Sequence, residues 1–143
     1  MSAHAYSEIN FHINWHVKDN NPVLRDEVEI QLQRFIRGKV LETSGMRFHE
    51  VGGTNDHVHL VVSAPPTLTP SEWIGQIKGA TSHFINHQIA NQKTLEWKTG
   101  YGIVSFGTRD LPWVLEYVRT QRRHHARGTS QERLERIDTE DNS

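Results

Sequence analysis

Residues 56–63, Asp-His-Val-His-Leu-Val-Val-Ser, constrain this chain more than any other stretch. The segment is short and rich in β-branched and apolar residues, which predicts a strand. Side chains alternate faces along a strand, so His57 and His59 point one way and Val58 and Leu60 the other. Two imidazoles on one face can reach a single metal ion, although an isolated His-x-His also arises by chance on a half-exposed sheet. Asp56 is expected to face away from His57. Met46–Val51 reads as another strand, and Gly52-Gly53-Thr54-Asn55 as the turn of an antiparallel hairpin between the two.

The rest of the chain supplies a partner layer. Glu8–Val17 alternates and is rich in β-formers, so it reads as the first strand. Asn21-Pro22 is expected to open a helix, with Leu24, Val28, Leu32, Phe35, Ile36 and Val40 on one face and Gly45 as its stop. Thr69 and Glu72 have capping-box spacing ahead of a helix that turns Ile74, Ile77, Phe84, Ile85 and Ile89 inward. Tyr101–Phe106 is a short strand. Asp110 and Pro112 open a last helix running to about Ala126, with Leu111, Val114, Leu115 and Val118 on its buried stripe. Strand, helix, strand, strand, helix, strand, helix predicts an α+β, ferredoxin-like (RRM-like) antiparallel sheet with helices packed on it and an added C-terminal helix.

A chain of 143 residues fits one domain, expected over residues 1–128 and followed by an acidic tail over 129–143. No apolar run approaches a membrane span, and the first residues have no secretory pattern, so a cytoplasmic location is expected. The absence of cysteine excludes disulfides, thiolate catalysis and cysteine-bound zinc. The net charge of −1 is unusual for a nucleic-acid binder, but its distribution is uneven. The tail carries five acids against two arginines, leaving residues 1–128 at +2, and residues 109–127 alone carry +3. A tail of this charge is expected to oppose DNA entry.

Tyr117 and Gln121, four apart on the last helix, lie on one helical face. Tyrosine has an unperturbed pKa of about 10 and is a weak nucleophile unless it or its target is activated. A divalent ion on a phosphate oxygen activates the target. Two imidazoles, one amide oxygen and open positions suit Mg²⁺ or Mn²⁺, Mn²⁺ better for its tolerance of nitrogen. Taken alone, Tyr117 and Gln121 also fit a rim tyrosine and a solvated amide. Lys78 and Arg122 are candidate phosphate contacts, and Trp15 and Trp73 candidate base-stacking platforms. Each fits a structural role equally well.

Five blocks in order resemble the single-tyrosine HUH transposases of small insertion sequences, including the repeat-associated tyrosine transposases. They are His12-Ile13-Asn14-Trp15-His16-Val17-Lys18 with Pro22-Val23-Leu24, Asp56–Ser63, Gln76-Ile77-Lys78-Gly79-Ala80-Thr81, Trp97 with Gly100-Tyr101-Gly102-Ile103-Val104-Ser105, and Tyr117-Val118-Arg119-Thr120-Gln121 with His124-His125. The resemblance covers about residues 8–128. It implies a DNA transposase in which Tyr117 attacks single-stranded DNA and holds a 5′-phosphotyrosine. It implies His57, His59 and Gln121 as ligands of Mg²⁺ or Mn²⁺, a homodimer, and recognition of hairpins formed by imperfect palindromes. In some members the tyrosine helix of one protomer completes the other's site. One departure is Asp19-Asn20-Asn21, where the family often has basic residues, which removes phosphate contacts.

Two alternatives stand beside this expectation. A domesticated hairpin-DNA-binding module or repressor would keep the fold with little strand transfer. A metal-dependent hydrolase of small molecules would use His57 and His59, but it leaves the Tyr-x-x-x-Gln pattern unexplained and lacks an acid placed beside the histidines.

Overall fold

The structure, a computed structural model, describes residues 5–128 and 130–137. Four strands, β1 (Asn10–His16), β2 (Arg47–Gly53), β3 (His57–Ser63) and β4 (Gly102–Phe106), form one antiparallel sheet in the order β2-β3-β1-β4. Helix α1 (Asp26–Glu42) joins β1 to β2, and α2 (Pro70–Phe84) joins β3 to β4. This is the expected ferredoxin-like plan, with β3 between the two strands that α1 connects. Helices α3 (Leu111–Arg119), α4 (Gln121–Arg127) and α5 (Glu132–Glu135) follow β4. Among the described residues no helix is long and apolar enough to cross a membrane.

Period-two alternation divides the sheet into two faces. Ile13, Trp15, Val17, Val58, Leu60 and Val62 point toward α1 and α2 and form the main core with Leu32, Ile36, Val40, Ile74 and Ile77. Trp15 is fully buried, and the Trp73 indole donates to Thr43 Oγ1 at 3.0 Å. Both tryptophans thus belong to the core. The opposite face carries a second, smaller apolar cluster of Val61, Phe106, Val114, Tyr117, Val118 and Leu134. The register aligns Asn10, His12, Asn14 and His16 of β1 with Ser63, Val61, His59 and His57 of β3 on this second face.

Several boundaries differ from the sequence expectation. Helix α1 starts at Asp26, not beside Pro22. The Leu24 amide donates to the Asn55 carbonyl at 2.8 Å, which holds the chain in an extended connection across the β2–β3 turn. Thr69 precedes α2 as expected but makes no side-chain cap bond, and α2 runs on into a π-helical turn at Ile85–Ile89. Gly52 and Gly53 lie within β2, so the turn is confined to residues 54–56. The expected single last helix is two helices. At Thr120 the hydroxyl bonds back to the Glu116 carbonyl at 2.7 Å while φ and ψ leave the helical region at −112° and 31°. Such side-chain return bonds compete with the helical ladder, and here the chain changes direction.

Two of the motif blocks are structural braces. The Lys78 ammonium donates to the carbonyls of Lys98 and Gly100, both at 2.9 Å, and the Trp97 indole donates to Thr81 Oγ1 at 3.0 Å. Together they tie α2 to the connection that enters β4.

Gly52 sets how closely α3 approaches the sheet. A Cβ at this position would run into the Val118 carbonyl oxygen of α3. Backbone cannot yield as a flexible side chain does, so Gly52→Ala is expected to cost about 2 kcal/mol. Urea unfolding checks this: the midpoint falls with little change in slope, whereas an unchanged midpoint refutes the close approach.

Candidate functional site

The second sheet face carries an unusual load of buried polar side chains: His12, Asn14, His57, His59 and Gln121 are each at most 4% exposed. Buried polar groups are stable only when partnered. The partners here aim the two histidines of β3. Asp56 Oδ1 and Thr54 Oγ1 lie 2.7 and 2.8 Å from His57 Nδ1. An Nδ1–H donated to the Asp56 carboxylate turns the Nε2 atom toward the site. The expectation that Asp56 faces away from His57 is therefore corrected. β3 begins at His57, so strand alternation does not extend to Asp56 in the turn.

His59 is aimed by a residue that sequence reasoning missed. His12 Nε2 lies 2.7 Å from His59 Nδ1, and the rings tilt at 48°. When His59 keeps its lone pair on Nε2, its Nδ1 carries the hydrogen and donates to His12. His16 stacks on His57 with ring centroids 4.7 Å apart. The signal was available, because His12, Asn14 and His16 alternate along a strand as His57 and His59 do. Burial, followed by the nearby His59, pushes His12 down to about 3; burial, followed by His57, pushes His16 down to about 4. Both are neutral at physiological pH.

Helix α3 brings Tyr117 onto the same face, where it is 2% exposed. Its ring meets His59 edge-on, with centroids 6.1 Å apart and an interplanar angle of 80°. Tyr117 thus lies against the histidines of its own chain. One helical turn later, Gln121 opens α4, and its Oε1 is buried with no hydrogen-bond partner. An orphaned acceptor of this kind suits a cation, so the donor chemistry fits a divalent metal. The turn at Thr120 also directs α4 so that His125 packs on His57, with centroids 4.8 Å apart.

Residues 130–137, expected only as part of an acidic tail, fold back onto this face. Leu134 is buried in the smaller apolar cluster. Asn14 Nδ2 donates to the carbonyls of Leu134 and Arg136, each at 3.1 Å. Glu135 then reaches the centre of the site. Its Oε1 lies 3.1 Å from His59 Nε2 and 3.3 Å from the Nε2 atoms of both His57 and His125. Its Oε2 accepts the Tyr117 hydroxyl, and that hydroxyl in turn accepts the Gln131 amide at 2.8 Å. Sequence reasoning gave no site role to Glu135, and His125 entered it only as part of a motif block. The only clue to the tail was Leu134, one of two large apolar residues (with Ile137) among the acids.

Electrostatics follow from these contacts. Burial opposes charge on Glu135, but hydrogen bonds from His57 and His59 outweigh it and hold the carboxyl far below its ordinary range. Burial likewise opposes charge on His57, yet Glu135 and Asp56 raise its pKa. Burial, followed by the bond to Glu135, pushes the Tyr117 phenol up to about 12. Glu135 therefore accepts a hydrogen bond from Tyr117 but is too acidic to take its proton. Lys78 and Arg122 engage their donors within the protein. Lys78 braces the carbonyls already described, and Arg122 bonds Asn55 Oδ1 at 2.6 Å and Glu29 Oε2 at 2.9 Å.

This geometry has known relatives. Residues 5–121 match the family model described as "Transposase IS200 like", ending at Gln121 and thus before His125 and Glu135. The ISDra2 transposase TnpA of Deinococcus radiodurans is 24% identical over 119 residues, 80% of this chain and 84% of that protein. The transposase for insertion sequence element IS200 of Salmonella typhimurium is 23% identical over 124 residues, 83% of this chain and 80% of that protein. Among solved structures, a Deinococcus radiodurans protein described as a transposase superposes with a TM-score of 0.67 at 19% identity, over 90% of this chain and 96% of that one. A REP-associated tyrosine transposase bound to a REP hairpin superposes with a TM-score of 0.61 at 15% identity, over 91% of this chain and 76% of that one. With the family model spanning most of its length, this chain belongs to the IS200-like transposase family of DNA-processing enzymes.

Proposed function

We propose that this protein cuts and rejoins single-stranded DNA through a 5′-phosphotyrosine on Tyr117. The observation that carries the reading is the span of one carboxylate: the oxygens of Glu135 touch the Tyr117 hydroxyl on one side and the Nε2 atoms of His57 and His59 on the other. Nucleophile and metal-ligating nitrogens are thus separated by about the width of a phosphate. His57, His59 and Gln121 would hold Mg²⁺ or Mn²⁺, which when bound would polarise a phosphate oxygen as a Lewis acid.

Tyr117 Oη would attack the scissile phosphorus, forming the tyrosyl ester as the bond to the leaving 3′-oxygen breaks. The phenol proton is lost, and the 3′-oxygen leaves as a hydroxyl after gaining a proton. A second 3′-hydroxyl reverses the step, with the phosphotyrosine conserving bond energy. The hairpin in the solved complex of the REP-associated relative supports palindromic hairpins as the recognised DNA. We assign a homodimer as the working assembly on the family resemblance.

Glu135 over Tyr117 favours a second reading, hairpin binding with little strand transfer. A joining assay with labelled single-stranded oligonucleotides from the DNA flanking the gene separates the two. A Mn²⁺- or Mg²⁺-dependent covalent band on a denaturing gel is expected for the native protein. Tyr117→Phe should abolish the band while leaving hairpin affinity within about twofold. Full joining by that variant refutes Tyr117 as nucleophile, and hairpin binding without any native band favours the binding module. His57→Ala should lose at least about 100-fold in joining rate with either metal, and an active variant would refute the ligand role.

A further inference from the structure

We propose that His57, His59, His125 and Glu135 form a second, tail-closed metal site for a four-coordinate zinc-class ion, and that filling it locks residues 131–136 over Tyr117. The proposal rests on the ligand role assigned above to His57 and His59 but uses a different donor set. His125 and Glu135 replace Gln121, and both lie beyond the residues that match the family model.

The distances carry it. The four ligand atoms all lie within 4.8 Å of one another. With zinc bonds of about 2.0–2.1 Å, the donors of a tetrahedral site stand about 3.3 Å apart. The three edges from Glu135 Oε1 to the imidazole nitrogens already measure 3.1, 3.3 and 3.3 Å. Only the nitrogen–nitrogen edges have to close, by at most about 1.5 Å on that geometry. Three imidazoles and one carboxylate also suit zinc better than magnesium, which prefers oxygen donors.

The surroundings are those of a prepared site. Asp56 and Thr54 hold His57 by Nδ1, and His12 holds His59 by Nδ1, so both present Nε2. The fourth donor is fixed by its backbone as well as by its charge. Asn14 clamps the carbonyls on either side of Glu135, the Arg133 guanidinium donates to the Ser105 carbonyl at 2.7 Å, and Leu134 is buried. β4 makes room for this segment with Gly102, where a Cβ would run into the Arg136 carbonyl oxygen. Four protein donors complete a tetrahedral shell and leave no position for a phosphate oxygen. The tail-closed ion would therefore exclude DNA, whereas the open His57, His59 and Gln121 set leaves positions free.

Cobalt titration tests the site in the full chain, because four-coordinate Co²⁺ absorbs visible light far more strongly than six-coordinate Co²⁺. Zinc affinity is measured in parallel by calorimetry. The native protein should give the intense band and lose it to added Zn²⁺. Glu135→Gln, which keeps the side-chain shape, and His125→Ala, on an exposed helical position, should each lose the band and weaken Zn²⁺ binding at least about 100-fold, while Gln121→Ala retains both. Zinc should also slow amide exchange at residues 132–136 in the native protein only. If Glu135→Gln binds Zn²⁺ as tightly as the native protein, the tail-closed site is wrong and the roles of His57 and His59 stand. If the native protein and His57→Ala alike bind neither Zn²⁺ nor Mn²⁺, both proposals fall.

Discussion

In the central antiparallel pair, Asn14 lies opposite His59 and His16 opposite His57. Because the side-chain period of a strand is two, a slip of one residue would send every one of these groups into the apolar core and bring Ile13, Trp15, Val58 and Leu60 out of it. The register is therefore held by burial on the other face of the sheet. Helices α1 and α2 cover that face with a continuous apolar layer, and the site face inherits its order from the same strands. The histidines are rigid because the strands that carry them are the two central ones of the sheet.

The site face carries a cost that the apolar core offsets. It buries imidazoles and amides and partly buries a carboxylate, and each is expensive to bury unless partnered. The partners form a chain from His12 through His59 to Glu135 and Tyr117, with Asp56 and Thr54 holding His57. Gln121 Oε1, His12 Nδ1 and Asn14 Oδ1 are among the buried atoms of this face without a hydrogen-bond partner, and the Trp15 indole nitrogen is another in the main core. The Gln121 gap lies at the residue expected to ligate a metal, and the His12 gap lies on the histidine that positions His59.

Most of the fold was legible because its signals were local. Alternation gave four strands, helical spacing gave the helices on the main core, and their order gave the topology. Where the reading failed, contacts distant in sequence had overridden local chemistry. Asn21-Pro22 has the form of a helix start, but the bond from Leu24 to Asn55 keeps the chain extended. Thr120 looks neutral within a helical run, yet its return bond to Glu116 marks the break that directs His125 to His57. Within the site, His57 and His59 were visible because both donors sit in one tripeptide, and Tyr117 and Gln121 because they are one helical turn apart. Glu135 had no local pattern at all, and only the docked backbone of its segment places it.

That placement changes how the acidic tail acts. Its net charge of −3 suggested a diffuse repulsion of DNA, which salt would screen within about 10 Å. In the structure one carboxylate of the tail, that of Glu135, is partly buried among three imidazoles and a phenol, where screening would be weaker. On the proposed mechanism, Glu135 occupies the positions a scissile phosphate would need: one anionic oxygen faces the Nε2 atoms of His57 and His59 and the other lies beside the Tyr117 hydroxyl. On that mechanism carboxylate and phosphate could not share the site, and movement of residues 131–136 would control access to Tyr117. The segment is anchored by Leu134 and by Asn14 as well as by Glu135, so neutralising the charge alone would weaken the closed state without removing it.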